Sequence, residues 1–148
     1  MSLLDINVLI ALFDRDHVHH DAAHDWFADD RADGWASCPM TESGFVRILS
    51  GSRYPFPKAD ATVPGLIRQL QRFCTNSRHQ FWPDAISLRD KHLFDTASIG
   101  GHRKLTDVYL LGLATHHGGR LVTFDRGIPL QAVRQATQAN LAIIEPAD

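Results

Sequence analysis

A chain of 148 residues matches the commonest domain size of ~100–150 residues, so one domain is expected over residues 1–148. Hydrophobic residues at 44% and charged residues at 22% exclude an intrinsically disordered chain. A net charge of −2, from 15 basic and 17 acidic residues with the 9 histidines neutral, excludes a broadly basic nucleic-acid glove but not a local basic patch.

No apolar run approaches the ~20 residues that span a bilayer, and Met1-Ser2-Leu3-Leu4-Asp5 lacks the basic segment and cleavage site of a secretory leader. Cys38 and Cys74 show no metal-motif spacing, so a reducing cytoplasm is the expected setting, with no membrane partner.

Ser2-Leu3-Leu4 reads as a short strand halted at Asp5, followed by a buried helix over the apolar run Ile6 to Phe13. Asp16 to Asp30 fits an amphipathic helix, broken by Gly34. Trp35 to Cys38 is a second strand that Pro39 terminates. Thr41 to Leu49 predicts a third helix with Phe45, Val46, Ile48 and Leu49 on one side, stopped at Ser50-Gly51-Ser52. Tyr54-Pro55-Phe56-Pro57 is a rigid loop. Ala59 to Cys74 predicts a fourth helix, Gln80 to Trp82 a weak strand, and Leu88 to Ile99 a further helix. Leu105 to His116 is a helix closed by Gly118-Gly119. Leu121 to Phe124 is a strand ending at Asp125, Gln131 to Ala139 a helix, and Leu141 to Ile144 the last strand. Short buried strands alternating with helices predict an α/β fold, a short parallel sheet with helices on both faces.

In such folds ligands bind beyond the carboxyl ends of the strands, and four acids fall there. Asp5 and Asp125 end strands, while Glu42 and Asp107 open helices. Singly, Glu42 and Asp107 are explained as helix N-terminal acids and Asp125 as a turn former. Jointly they would be aimed at one crevice, and mutually repelling carboxylates stay ionised there only with a cation. All-oxygen donors suit Mg²⁺ or Mn²⁺ better than Zn²⁺, and such an ion can activate water against a phosphodiester.

Four segments carry a resemblance: Leu3-Leu4-Asp5-Ile6-Asn7-Val8-Leu9-Ile10, Thr41-Glu42-Ser43-Gly44-Phe45-Val46-Arg47, Leu105-Thr106-Asp107-Val108-Tyr109-Leu110 and Leu121-Val122-Thr123-Phe124-Asp125-Arg126. Their order and separation resemble the motifs of PIN-domain ribonucleases, and more narrowly the VapC toxins of toxin–antitoxin pairs. The likeness runs from residue 3 to about residue 126. It implies a Mg²⁺- or Mn²⁺-dependent endoribonuclease with catalytic acids at Asp5, Glu42, Asp107 and Asp125, of which Asp5, Asp107 and Asp125 would hold the metal. It implies polar supporters at Asn7, Thr106 and Thr123. A homodimer is also implied, together with a cognate antitoxin that lays a basic side chain across the acidic groove.

Other features were weighed beside this reading. Arg47, Arg103, Lys104 and Arg126 flank the acids and would either balance charge or position phosphate. His20-Asp21-Ala22-Ala23-His24 echoes a zinc helix without its glutamate or a third ligand, and reads instead as a solvated face. His116-His117 suit a helix C-terminus. Trp26, Trp35 and Trp82 read as core rather than base-stacking platforms. No glycine-rich phosphate loop occurs, nor a G-x-S-x-G elbow around Ser43. The competing functions are a metal-dependent phosphatase with Asp5 as nucleophile and a non-catalytic domain that binds RNA or protein. A histidine-based ribonuclease leaving cyclic phosphate ends is the rival mechanism.

Overall fold

Each short apolar run becomes a strand in the computed structural model, which describes residues 1–146; Ala147 and Asp148, part of the expected domain, lie outside the described residues. The strands are β1 (Ser2–Leu4), β2 (Trp35–Ser37), β3 (His79–Phe81), β4 (Arg120–Thr123) and β5 (Leu141–Ile143). They form one sheet in the order β3-β2-β1-β4-β5, every pairing parallel. Side chains alternate between the two faces of such a sheet, and the packing follows that period. Leu3, Ala36 and Leu121 enter one core, Leu4, Trp35 and Val122 the other.

The second core is covered by helices α1 (Ile6–Phe13), α2 (His20–Asp30), α3 (Pro39–Ser50) and α4 (Val63–Thr75). The first is covered by α5 (Leu105–His116), helped by Trp82, Phe94 and the segment Ile128–Val133. Helices therefore lie on both faces, as the sequence predicts. Trp35 and Trp82 are core residues, whereas Trp26 is only partly buried.

Several boundaries differ from the sequence reading, each for a local reason. Helix α2 starts at His20 rather than Asp16, because residues 14–19 form turns. In these, the Asp14 carboxylate accepts from the Asp16 amide (3.0 Å) and the Asp14 carbonyl from the His17 amide (3.1 Å). Pro39 opens α3 instead of merely closing β2, since a first-turn proline sacrifices no helical hydrogen bond. Helix α4 begins at Val63 rather than Ala59, because Thr62 caps it by accepting from the Gly65 amide at 3.1 Å.

Two expected helices are absent. Residues 88–99 and 131–139 contain turns and short 3-10 segments. Their backbones pair with each other: the Asp95 amide donates to the Ala132 carbonyl and the Arg134 amide to the Leu93 carbonyl, both at 2.9 Å, around a Phe94–Val133 bridge. Amides spent on that long-range pairing cannot serve an i to i−4 ladder. Phe94, fully buried, is what the pairing delivers to the core.

The strand order reverses at the β1–β4 pair: β2 and β3 lie to one side of β1, and β4 and β5 to the other. In open parallel sheets this is where a crevice opens at the carboxyl ends. The Asp5 amide donates to the Val122 carbonyl at 2.9 Å and so extends that pairing to the residue that ends β1. Among the described residues, no helix is long and apolar enough to cross a membrane.

Candidate active site

Asp5 leaves β1 at the reversal point and caps α1, with its side chain only 5% exposed. Its Oδ1 accepts from the Ile6 amide at 2.7 Å and its Oδ2 from the Thr123 hydroxyl at 2.7 Å. Thr123, the last residue of β4, is fully buried and acts as a hub. Its one proton goes to Asp5, while its oxygen accepts from the Asp125 amide at 3.1 Å and from Asn7 Nδ2 at 3.4 Å. The ends of β1 and β4, already paired through their backbones, are thus linked through this hydroxyl as well. Asp125 is held in a turn in which its Oδ1 accepts from the Gly127 amide at 2.7 Å.

Asp107 arrives from the opposite core layer, in the first turn of α5. Its carboxyl is pushed up to about 7, first by burial, then by the charge of Asp5 and by a hydrogen bond and charge from Asp125, with Lys104 acting the other way. Burial also raises Asp5, against the hydrogen bonds that favour its ionised form. These shifts bring Asp5, Asp107 and Asp125 into one electrostatic neighbourhood. Among the described residues, no three His, Cys, Asp or Glu side chains are gathered closely enough to enclose an ion as they stand.

Glu42, in the first turn of α3, makes its hydrogen bond outside that network. It accepts from the Ser37 hydroxyl and lines a cleft of about 1010 Å³ between α3, α4 and β3. Hence three of the four expected acids act on one another's charge, while Glu42 has a separate hydrogen-bond partner.

The remaining expected residues divide. Asn7 and Thr123 belong to the Asp5 network; Thr106 is exposed beside Asp107. Lys104 lies over Gly127, where an added methyl group would meet its Nζ at 2.7 Å. Arg103 is exposed on the same turn, His102–Lys104. Arg47 lines the Glu42 cleft, and Arg126 pairs with Glu145 at the surface.

His20 is partly buried and His24 exposed, and each ring also makes a specific hydrogen bond. His20 Nδ1 donates to the Ala11 carbonyl (2.7 Å) and His24 Nε2 to the Leu12 carbonyl (2.9 Å), satisfying acceptors in the last turn of α1. His117 stacks on Trp82 with ring centroids 4.1 Å apart.

Sequence reasoning passed over Ser37 and His79. Ser37 ends a strand that was expected, five residues before Glu42, and that spacing was the available signal. Nothing local marks His79, 42 residues further on.

Whether these residues suit a divalent cation is testable on two features. Asn7 Oδ1 is buried without a hydrogen-bond partner among the described residues, a cost of about 1–3 kcal/mol unless something meets it. Burial, and then the charges of Asp5 and Asp125, push the Asp107 carboxyl up to about 7, and a cation would relieve that repulsion. An oxygen-only donor set fits Mg²⁺ or Mn²⁺.

A sign follows from these shifts. An acid raised in the folded state binds protons more readily than in the unfolded chain. The metal-free protein therefore gains stability as pH falls from about 8 toward 6.5 and loses it as pH rises through the raised value. Below about 6.5, His17, His79 and His117, lowered by burial, act the other way. Thermal melts in EDTA across this range will show Tm rising toward acid. Saturating Mg²⁺ will raise Tm most at the alkaline end and flatten or reverse the slope.

The sequence matches the PIN domain family over residues 2–134, and the chain belongs to that family. It is 44% identical over 143 residues to ribonuclease VapC44 of Mycobacterium tuberculosis (strain CDC 1551 / Oshkosh), covering 97% of this chain and 99% of that protein. Ribonuclease VapC39 of the same strain is 43% identical over 86% of this chain and 90% of its own length. Ribonuclease VapC29, also from that strain, is 46% identical over 85% of this chain and 86% of its own length.

Proposed function

We propose that this chain is a VapC-type toxin: a metal-dependent endoribonuclease that cleaves RNA by hydrolysis and is neutralised by a cognate antitoxin. The relatives' ribonuclease names over nearly the whole chain support the substrate class. The observation that carries the site assignment is the buried Thr123 hydroxyl, which donates to Asp5 and accepts from the Asp125 amide and Asn7 where the strand order reverses.

In this reading Asp5, Asp107 and Asp125 hold Mg²⁺ or Mn²⁺. The ion supplies charge neutralisation at the scissile phosphate and makes water a competent nucleophile at neutral pH. The rest of the work belongs to the chain. Thr123 fixes the orientation of Asp5 by donating to Oδ2, and it positions the Asp125 backbone through the same oxygen. Asn7, whose Nδ2 is bonded to Thr123, offers Oδ1 as a further acceptor inside the crevice. Glu42 enters from α3 with one oxygen on Ser37, leaving the other to accept a hydrogen bond from the attacking water. Lys104, whose charge already acts on Asp107, is the best placed of the four basic residues to meet a phosphate. Arg103 and Arg47 supply secondary charge, and Arg126 must first leave Glu145.

Asp5 is a poor phosphate-accepting nucleophile, since both oxygens are engaged and the side chain is buried. That favours the nuclease over the phosphatase. The antitoxin is expected to lay a basic side chain on the aspartates, and the toxin to work as a cytoplasmic homodimer.

Purified protein assayed on RNA and on a small phosphate monoester, with and without EDTA, tests the proposal. RNA cleavage that needs a divalent ion, is absent on the monoester and is suppressed by the protein encoded immediately upstream is the expected result. EDTA-resistant cleavage or preference for the monoester contradicts it, and a monomer in sedimentation at micromolar concentration contradicts the dimer.

A further inference from the structure

Glu42 does not stand alone on α3. Ser37 Oγ donates to Glu42 Oε2 at 2.5 Å, and the same oxygen lies 2.7 Å from His79 Nε2. The sheet explains how three residues from separate elements meet. β2 and β3 run parallel with Trp35 opposite His79 and Ser37 opposite Phe81, so Trp35, Ser37, His79 and Phe81 share one face. That face looks onto the cleft between α3 and α4 that Glu42 and His79 both line.

The proton count fixes the direction of the chain of hydrogen bonds. A serine hydroxyl has one proton and accepts with its lone pairs. With the Ser37 proton committed to Glu42 Oε2, Ser37 Oγ must accept from the imidazole. Burial holds His79 below the ordinary imidazole range, with the Glu42 charge opposing; near neutrality the ring is uncharged and has one N–H, which must sit on Nε2. The ring itself is pinned against Trp35, centroids 4.5 Å apart, and the Trp35 indole N–H is anchored on Ser77 at 2.8 Å. Ser37 is fully buried. Although serine, histidine and glutamate suggest a nucleophile triad, the serine here lies in the middle with its proton given to the carboxylate, so it is no nucleophile.

We infer that Ser37 and His79 are positioning residues for Glu42: the directed chain His79 Nε2–H to Ser37 Oγ–H to Glu42 Oε2 holds that carboxylate in one orientation, with Oε1 left to accept from the attacking water. The inference rests on the nuclease reading for its purpose, and on the hydrogen-bond geometry for its form.

Two substitutions at one position separate positioning from packing. His79→Phe keeps a ring against Trp35 but loses the donor. His79→Gln loses the ring but keeps a side-chain N–H at similar reach. Positioning predicts that Ser37→Ala and His79→Phe each lower kcat for RNA about 10-fold or more, in the range for partners of active-site ligands. KM should stay within about twofold, and His79→Gln should recover most of the loss. The opposite order, with His79→Phe near the parent kcat and His79→Gln impaired, overturns the inference. So does a fall in kcat that merely tracks a fall in Tm across the three variants.

A readout independent of activity is the ¹⁵N resonance of His79 in the metal-free full chain. A protonated Nε2 in the parent, with the tautomer shifting in Ser37→Ala, is expected. A bare Nε2 overturns the inference whatever the activities, because Ser37 would then donate to the ring and abandon Glu42. Asp5→Asn assayed alongside keeps the two claims apart. Full cleavage by Asp5→Asn overturns the aspartate site. Full kcat in Ser37→Ala and His79→Phe beside an inactive Asp5→Asn overturns only the role given to Ser37 and His79.

Discussion

Asp5→Asn will cleave RNA more than about 100-fold more slowly than the parent chain at saturating Mg²⁺. That exceeds the ~10–100-fold usual for losing an outer partner of a metal ligand. The substitution keeps the shape and can keep the hydrogen bond from Thr123, which now reaches Oδ2 at 2.7 Å. It removes the charge that a divalent ion needs and that raises Asp107. Asp107→Asn and Asp125→Asn should behave alike in cleavage, and all three should lose most of the Tm shift that Mg²⁺ gives the parent. Without metal, Asp107→Asn should melt higher than the parent above pH 7, since the asparagine carries no charge to bury beside Asp5 and Asp125. His24→Ala is the control. It should lose about 1 kcal/mol of stability with the hydrogen bond to the Leu12 carbonyl, yet cut RNA at the parent rate. A parent-like Asp107→Asn, or an inactive but folded His24→Ala, would contradict the assignment.

Phe45→Ala should cost about 3–5 kcal/mol of stability, a large share of the ~5–15 kcal/mol that holds a typical domain together. Phe45 is fully buried and meets Phe13 edge-on at 4.7 Å, and Phe13 in turn meets Phe73 at 5.3 Å. One ring therefore joins α3 to α1 and, through Phe13, to α4. It lies one turn beyond Glu42, so loosening it also loosens the element that presents that carboxylate. Urea titration will show the lower midpoint. Phe45→Leu, which keeps much of the volume, should retain more than half of the lost stability. A midpoint within about 1 kcal/mol of the parent for Phe45→Ala would mean that the site collapses around the gap, and that α3 is seated by other contacts.

The parts of this molecule that the sequence makes legible are those written in local period and punctuation. Leu3-Leu4 and Leu121-Val122 each split between the two faces of the sheet, and the apolar run of α5 is buried almost throughout. The acids at strand ends and helix starts were visible because each lies at such a boundary. What was not legible depends on partners distant in the chain. Segments 88–99 and 131–139 look helical singly, but Asp95 and Arg134 give their amides to each other's strand-like neighbours. The start of α4 is set by Thr62 accepting from the Gly65 amide, which apolar spacing alone does not locate. The partners of His20 and His24 are not legible locally, because the carbonyls that they serve, on Ala11 and Leu12, belong to another helix. His79 reaches Ser37 only because β3 pairs with β2, which no local pattern announces.

The central claim is that carboxylates, not histidines, direct water at the phosphodiester, and the ends of the RNA fragments test it most directly. Water as nucleophile leaves a 5′-phosphate and a 3′-hydroxyl, since the ribose 2′-hydroxyl takes no part. A short defined RNA should be cut with Mg²⁺ or Mn²⁺ present, the fragments resolved by mass, and the same reaction run in EDTA. Fragments with 5′-phosphate and 3′-hydroxyl ends that form only with the divalent ion are the predicted result; 2′,3′-cyclic phosphate ends, formed equally well in EDTA, would contradict it.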